Sequence, residues 1–177
     1  MATTTTSNTR IVLIAAVGRN NELGRNNDLM WRLKSDMAFF KRTTLHHRVI
    51  MGRKSWESLP IKFRPLPNRM NVVISRDEHF QLEGALTFQT VEAAISDAKS
   101  ATDSTAFIIG GGQIYSHCLQ ANLVDEMYLT HVDATFADAD VFFPAISANE
   151  WKQEIIETFE ANDDNEYAGR IVHYVKI

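Results

Sequence analysis

One cysteine, Cys118, occurs in 177 residues, which rules out an intrachain disulfide and suits a reducing compartment. Prolines number four and glycines eight, and no Pro/Gly/Ser-rich stretch divides the chain, so no interdomain linker is expected. No apolar run approaches the length needed to cross a bilayer; the first, Ile11–Val17, is far too short. Residues 1–10 are polar with a single cation and do not read as a secretory leader. Positive charge is not in excess either. A formal net charge of -4 argues against general nucleic-acid or membrane binding, so any anion site must be a local cluster of Lys and Arg. Internal repeats are absent.

What is present is ordinary for a globular protein, 45% hydrophobic and 23% charged, and long enough to bury one core. Residues 1–9 read as a frayed, threonine-rich tail and 10–177 as a single domain. Short β-branched runs recur at Ile11–Val17, Arg48–Met51, Asn71–Ser75, Ala85–Phe88, Ala106–Ile109 and Met127–Val132. Helix-like stretches lie between several of them, at Lys34–Leu45, Ser55–Leu59, Val91–Ser100 and Gln113–Ala121. This alternation predicts an α/β fold, with a mainly parallel sheet of about eight strands flanked on both faces by about four helices. The rhythm breaks near the end. Trp151–Glu160 and Tyr167–Ile177 read as strands joined by the polar Ala161–Asn165, an antiparallel hairpin at one edge that makes the sheet mixed.

The segment Trp31-Arg-Leu-Lys-Ser-Asp36-Met-Ala-Phe-Phe-Lys is unusual in its patterning. With a helix from Lys34, the residues Leu33, Met37, Phe40 and Thr44 share one face, and Asp36 falls on it. A carboxylate aimed at apolar surroundings has its charged form disfavoured, and can hold a cationic or amidine-like ligand in a bidentate pair. An acidic residue favoured in a first helical turn is the other reading, and this segment alone leaves both open.

Phe107-Ile-Ile-Gly110-Gly111-Gly112-Gln-Ile-Tyr115 supplies a second constellation: a strand, three glycines and an amphipathic helix. Glycines permit close backbone approach to a ligand, and the helix start offers unpaired N–H groups to a phosphate. It matches neither the GxGxxG fingerprint nor a Walker A loop, and a plain strand-to-helix turn remains an alternative. Val49-Ile-Met-Gly52-Arg53-Lys54-Ser55-Trp56 repeats the pattern with two cations in the first turn, where they oppose the helix dipole unless an anion arrives. Val72-Val-Ile-Ser75-Arg76 ends another strand with a hydroxyl and a guanidinium. Ligands of open parallel sheets gather at the carboxyl ends of the strands, so these ends point to a long ligand with several phosphates. His46 and His47 read as a solvated helix end, and His131 and His173 as structural, so no metal is expected.

In this order and spacing the segments resemble the dihydrofolate reductase family from about Ile11 to the C-terminus. The motifs are Ile14-Ala-Ala, Leu23-Gly24, Trp31 to Asp36, Met51-Gly-Arg-Lys-Ser-Trp56, Arg64-Pro-Leu-Pro-Asn-Arg69, Ile109-Gly-Gly-Gly-Gln-Ile-Tyr115, Leu129-Thr130 and Phe143-Pro144. The resemblance implies NADPH-dependent reduction of dihydrofolate in one-carbon metabolism, with antifolates as further ligands. A monomer is the default expectation, because no obvious extra apolar stripe remains after the core is assigned, and the lone cysteine suits the cytoplasm. The resemblance implies that Asp36 binds the pterin's 2-amino group and N3, with Thr130 supporting it through a water and Trp31 holding another. Ile14, Ala16, Met37, Phe40, Leu59, Leu66, Ile109 and Tyr115 would line the substrate pocket. Arg69 would pair with the tail carboxylate, with Arg64 or Lys41 touching it more loosely. Ala16, Leu23 and Gly24 would flank the nicotinamide. Gly52, Arg53, Lys54, Ser55, Ser75 and Arg76 would contact phosphates, Ser75 and Arg76 taking the 2′-phosphate, and Gly111, Gly112, Gln113, Ile114 and Tyr115 would complete the cofactor site. A cis peptide between Gly110 and Gly111 is implied too, as is a loop over the nicotinamide spanning Val17 to Arg32, held in part by Asp140.

Three positions depart from the family's usual pattern. Met30 and Lys34 stand where proline is common, and Gln113 where bacterial members often carry arginine, which removes one phosphate contact. The related reductase of riboflavin synthesis shares the fold and the glycine turn, but Asp36 together with Arg69 favours folate. A non-catalytic module binding NADP or folate is a further alternative, distinguished by whether the cofactor is oxidised.

Overall fold

The strand Arg10–Val17 (β1) is apolar on both sides, with Ile11, Val12, Leu13 and Ile14 all buried, as a strand covered by helices on each face must be. The structure, a computed structural model, describes residues 8–26 and 28–177. The threonine-rich residues 1–7 of the expected tail and Asn27 of the expected loop lie outside the described residues, and Thr9 is already buried. After β1 come Glu22–Gly24 (β2), Lys34–Thr44 (α1), Arg48–Gly52 (β3), Arg53–Ser58 (α2), Met70–Ile74 (β4), Leu86–Phe88 (β5) and Val91–Ser100 (α3). Then follow Thr105–Gly110 (β6), Gly112–Gln120 (α4), Glu126–Val132 (β7), Val141–Phe142 (β8), Trp151–Phe159 (β9) and Gly169–Lys176 (β10).

Eight strands form one sheet in the order β5-β4-β3-β6-β1-β7-β10-β9. Pairing is parallel from β5 to β7, then antiparallel through the β10–β9 hairpin at the edge. Alternation along β1 splits the core in two. Ile11 and Leu13 pack with Val91, Ile95, Tyr115 and Cys118 of α3 and α4, whereas Val12 and Ile14 pack with Phe39 of α1 and Trp56 of α2. The neighbours β1 and β6 therefore send their chains to opposite faces. That divergence opens a crevice at their carboxyl ends, the usual ligand position in such sheets.

Two features were not legible beforehand. β2 and β8 form a separate two-stranded sheet, too short to show any period. The hairpin connection is also more than a solvated turn. Asn165 is buried; its Oδ1 accepts the Ser35 N–H at 3.1 Å and its Nδ2 donates to Ser35 Oγ at 2.9 Å, while Lys34 N–H donates to the Asp164 carbonyl at 3.0 Å. The residue preceding α1, Leu33, has no side chain able to cap it, so these distant groups satisfy its first amides.

Candidate active site

α1 lays a stripe through Leu33, Asp36, Phe39 and Phe40 toward the sheet. The expected stripe runs through Met37; that residue is 59% exposed, while Phe39 is the buried member. The reason is geometric: α1 crosses the sheet so that positions i and i+3 lead, and Met37 falls one position off the contact line. Asp36 is partly buried, and its Oδ1 accepts the Thr130 hydroxyl at 2.5 Å. The contact with Thr130 is direct, where a bridging water was expected. Register explains it, because Thr130 on β7 stands beside Ala16 at the end of β1. Burial raises the Asp36 pKa above the ordinary carboxylate value, and the Thr130 hydrogen bond partly offsets that. A ligand offering two N–H groups to this carboxylate would restore its charged form.

Around it the expected apolar residues collect. Ile14, Phe40, Leu59, Leu66 and Ile109 belong to one packed cluster, and Ala16 borders a second with Trp31 and Leu33. Trp31 is buried, and its Nε1–H meets no acceptor among the described residues. An indole N–H so placed points to a polar partner supplied from the cleft. Tyr115 is buried as well, its hydroxyl donating to the Ile14 carbonyl at 2.8 Å. Burial first, then the neighbouring Asp36 and Cys118, pushes its pKa far up, so it stays a donor that ties α4 to β1.

The glycine turn lies beside this pocket. Gly110 has a φ of 136°, a conformation L side chains rarely adopt, and the Gly110–Gly111 peptide is cis, as is Arg64–Pro65. Ser55 at the start of α2 closes on the turn, its Oγ 3.2 Å from where a Cβ on Gly111 would sit. Gly112 abuts β8, and Leu23 of β2 lies 3.7 Å from its Cβ position. Gly52 meets Ile114 in the same way at 3.3 Å, so Gly52, Ser55, Gly111, Gly112, Ile114 and Leu23 line one shallow cradle. Gln113 projects outward and is exposed.

The cations divide into two groups. Arg53 stacks over Phe80 at 4.2 Å and pairs with Glu57 at 2.9 Å. Lys54 and Arg76 are exposed, and neither forms an ion pair among the described residues. Ser75 is buried and its Oγ accepts the Asp77 N–H at 3.2 Å. Arg69 reaches Thr44 Oγ1 at 3.2 Å and the Pro67 carbonyl at 3.0 Å beside the Phe40 ring, with no carboxylate partner among the described residues. Arg64 is different: its guanidinium donates to the Leu59 and Glu57 carbonyls at the end of α2, which occupies it locally, and Lys41 is exposed on α1. Asp140 accepts the Asn26 N–H at 3.0 Å, and its own N–H donates to the Gly24 carbonyl, tying β2 to the loop after β7. Lys34 pairs with Asp164, and Met30 is half-buried against Trp31.

A carboxylate in an apolar pocket beside a glycine turn, at the carboxyl ends of a parallel sheet, defines a ligand-binding protein of the doubly wound α/β class. Comparison with known proteins narrows the class. The family profile described as dihydrofolate reductase matches residues 10–176. The dihydrofolate reductase of Neisseria meningitidis serogroup A is 42% identical, over 94% of this chain and 98% of that one. The type 3 enzyme of Salmonella typhimurium is 39% identical, over 92% and 95%. A solved structure of the Enterococcus faecalis enzyme, complexed with NADP(H) and RAB-propyl, superimposes with a TM-score of 0.84 at 29% identity, covering 94% of this chain and 96% of that one. The chain belongs to the dihydrofolate reductase family.

Proposed function

We propose that this chain reduces 7,8-dihydrofolate to 5,6,7,8-tetrahydrofolate with NADPH, and that Asp36, positioned by Thr130, holds the pterin. The observation that carries this reading is the Asp36–Thr130 hydrogen bond inside an apolar pocket adjoining the Gly110–Gly112 turn. The bound nicotinamide supplies a hydride from its C4 to C6 of the pterin. Asp36 accepts hydrogen bonds from N3 and the 2-amino group and polarises the ring toward protonation at N5, the proton arriving through water. The Trp31 Nε1–H, without a protein acceptor among the described residues, supports a polar contact at the same ring.

Ile14, Ala16, Phe40, Leu59, Leu66 and Ile109 exclude water from the pterin, with Met37 at the lip and Tyr115 holding the Ile14 carbonyl. Arg69 takes the tail carboxylate, for which its fork is shaped. On the cofactor side Ala16, Leu23 and Gly24 flank the nicotinamide. Gly52, Ser55, Gly111, Gly112, Gln113 and Ile114 surround the phosphates with Arg53 and Lys54, and Arg76 beside Ser75 reads the 2′-phosphate.

Arg76 gives a sharp check. Its replacement in Arg76→Ala is expected to raise KM for NADPH roughly 10- to 100-fold, the scale of one lost charge-assisted hydrogen bond, while leaving KM for NADH nearly unchanged. A parallel rise for both cofactors would remove Arg76 from the 2′-phosphate. The activity itself is tested by mixing protein, NADPH and dihydrofolate and following the nicotinamide absorbance. Substrate-dependent oxidation that an antifolate abolishes is the expected result; ligand binding without oxidation would refute the reading.

Residues 10–177 act as one unit in this proposal, as a monomer in the cytoplasm. The single core-buried cysteine and the unbroken sheet support that; no described helix is long and apolar enough to cross a membrane.

A further inference from the structure

Glu22 has no part in the reading above, yet it opens β2 with only 2% of its surface exposed. A buried carboxylate is costly unless hydrogen bonds replace the solvent it loses. Two do so here. Oε2 accepts the Asn20 N–H at 2.9 Å, and Oε1 accepts the Phe136 N–H at 3.1 Å. No cation pairs with it among the described residues, and the nearby Arg19 is paired with Asp133 at 2.6 Å. Backbone amides from two separate loops therefore hold the charge, one following β1 and the other following β7.

Gly18 makes the arrangement possible. A Cβ there would lie 2.2 Å from Glu22 Oε2 and 3.1 Å from the Ala134 carbonyl, so any side chain at position 18 would push the carboxylate from its place. The backbone already joins the two loops, since Arg19 N–H donates to Ala134 O at 2.9 Å. What the carboxylate adds is a hold on Phe136, whose ring packs on Trp31. The Phe136 ring packs 5.2 Å from Trp31 and edge-on against Tyr167 at 5.4 Å. Trp31 in turn packs in the cluster that borders Ala16.

We infer that Glu22 is a positioning residue for the reduction: its carboxylate clamps Asn20 and Phe136 so that Phe136 sets the Trp31 indole against the pterin pocket. This rests on the function proposed above. Glu22 touches neither ligand and acts through Phe136 and Trp31.

Three variants of the full-length protein test it. In Glu22→Leu the Asn20 and Phe136 amides exchange with solvent roughly tenfold faster or more, because both lose a buried acceptor. Tryptophan emission shifts, and does not when the same change is made in Trp31→Phe, while single-turnover hydride transfer at saturating NADPH and dihydrofolate slows about tenfold, the scale of a misplaced positioning contact. Glu22→Gln keeps one acceptor and sets its NH2 against the other amide, so it recovers part of the rate. Gly18→Ala displaces the same carboxylate from the opposite side and reproduces the slower transfer; combined with Glu22→Leu it adds little, because both changes break one contact. A folded Glu22→Leu with a lower melting temperature but a native transfer rate would show a purely structural role and overturn the inference, as would additive losses in the double variant. Should Glu22→Leu fail to fold, Glu22→Gln and Gly18→Ala decide by the same readouts. An inactive native protein would instead overturn the proposed function, and the amide exchange and Trp31 emission would still judge the clamp.

Discussion

Asp36→Asn is expected to cut turnover by a factor on the order of 10² or more at neutral pH while making the protein more stable. The two effects share one cause. Burial beside Phe40 and Ile14 disfavours the ionised carboxyl, and the Thr130 hydroxyl compensates only in part. The asparagine keeps an oxygen for Thr130 but loses the second, anionic oxygen needed to accept from both N3 and the 2-amino group of the pterin. The sign of the stability change follows from the direction of the shift. With its folded pKa above the unfolded value, Asp36 is harmless when protonated at low pH, and its ionised form weakens the fold as pH rises through the raised pKa. Asparagine avoids that loss, so thermal unfolding at pH 7 should show a higher midpoint, on the order of 2–4 °C for each kcal/mol relieved in a chain this size. Below the unfolded carboxylate range the advantage should vanish. A folded variant with near-native turnover would refute the assignment, and an advantage persisting at low pH would refute its electrostatic origin.

Arg69→Leu separates binding from chemistry. Its guanidinium sits beside Phe40 and, among the described residues, donates only to Thr44 Oγ1 and the Pro67 carbonyl, so a planar carboxylate can still dock on its remaining N–H groups. Removing one partner of such a pair leaves a desolvated carboxylate unpaired, a loss that corresponds to roughly 10²-fold in KM for dihydrofolate. The site is remote from the reacting ring, so the contact is equal in ground and transition states and kcat should stay within about threefold. A reduced pterin lacking the acidic tail supplies the control, since its KM should not respond. If it weakens equally, Arg69 acts through packing of α1 and not through the tail.

Much of this site was legible because its parts are short and local. Glycine triplets, cations after a strand and a carboxylate within an apolar helix each announce themselves over a few residues. What the sequence leaves undecided is equally specific. Met37 and Phe39 differ by two positions on one helix, and only the crossing of α1 over the sheet decides which is buried. Arg64 and Arg69 are both arginines in one motif, but Arg64 spends its donors on the carbonyls ending α2. Asn165 and Glu22 gave no signal, because each is buried by a partner more than a hundred residues away in the chain.

By itself the sequence determined the alternation of strands and helices, the parallel core with its antiparallel edge, and the residue types gathered at the strand ends. Hydrophobic period and backbone freedom are local properties, and they set those features before any contact forms. Tertiary structure alone decided that Thr130 bonds Asp36 directly, that Asn165 caps the helix carrying Asp36, and that Glu22 lies buried between two loops. Those outcomes depend on strand register and on which loops are brought together, and burial is a property of the assembled neighbours, which no short stretch of chain encodes.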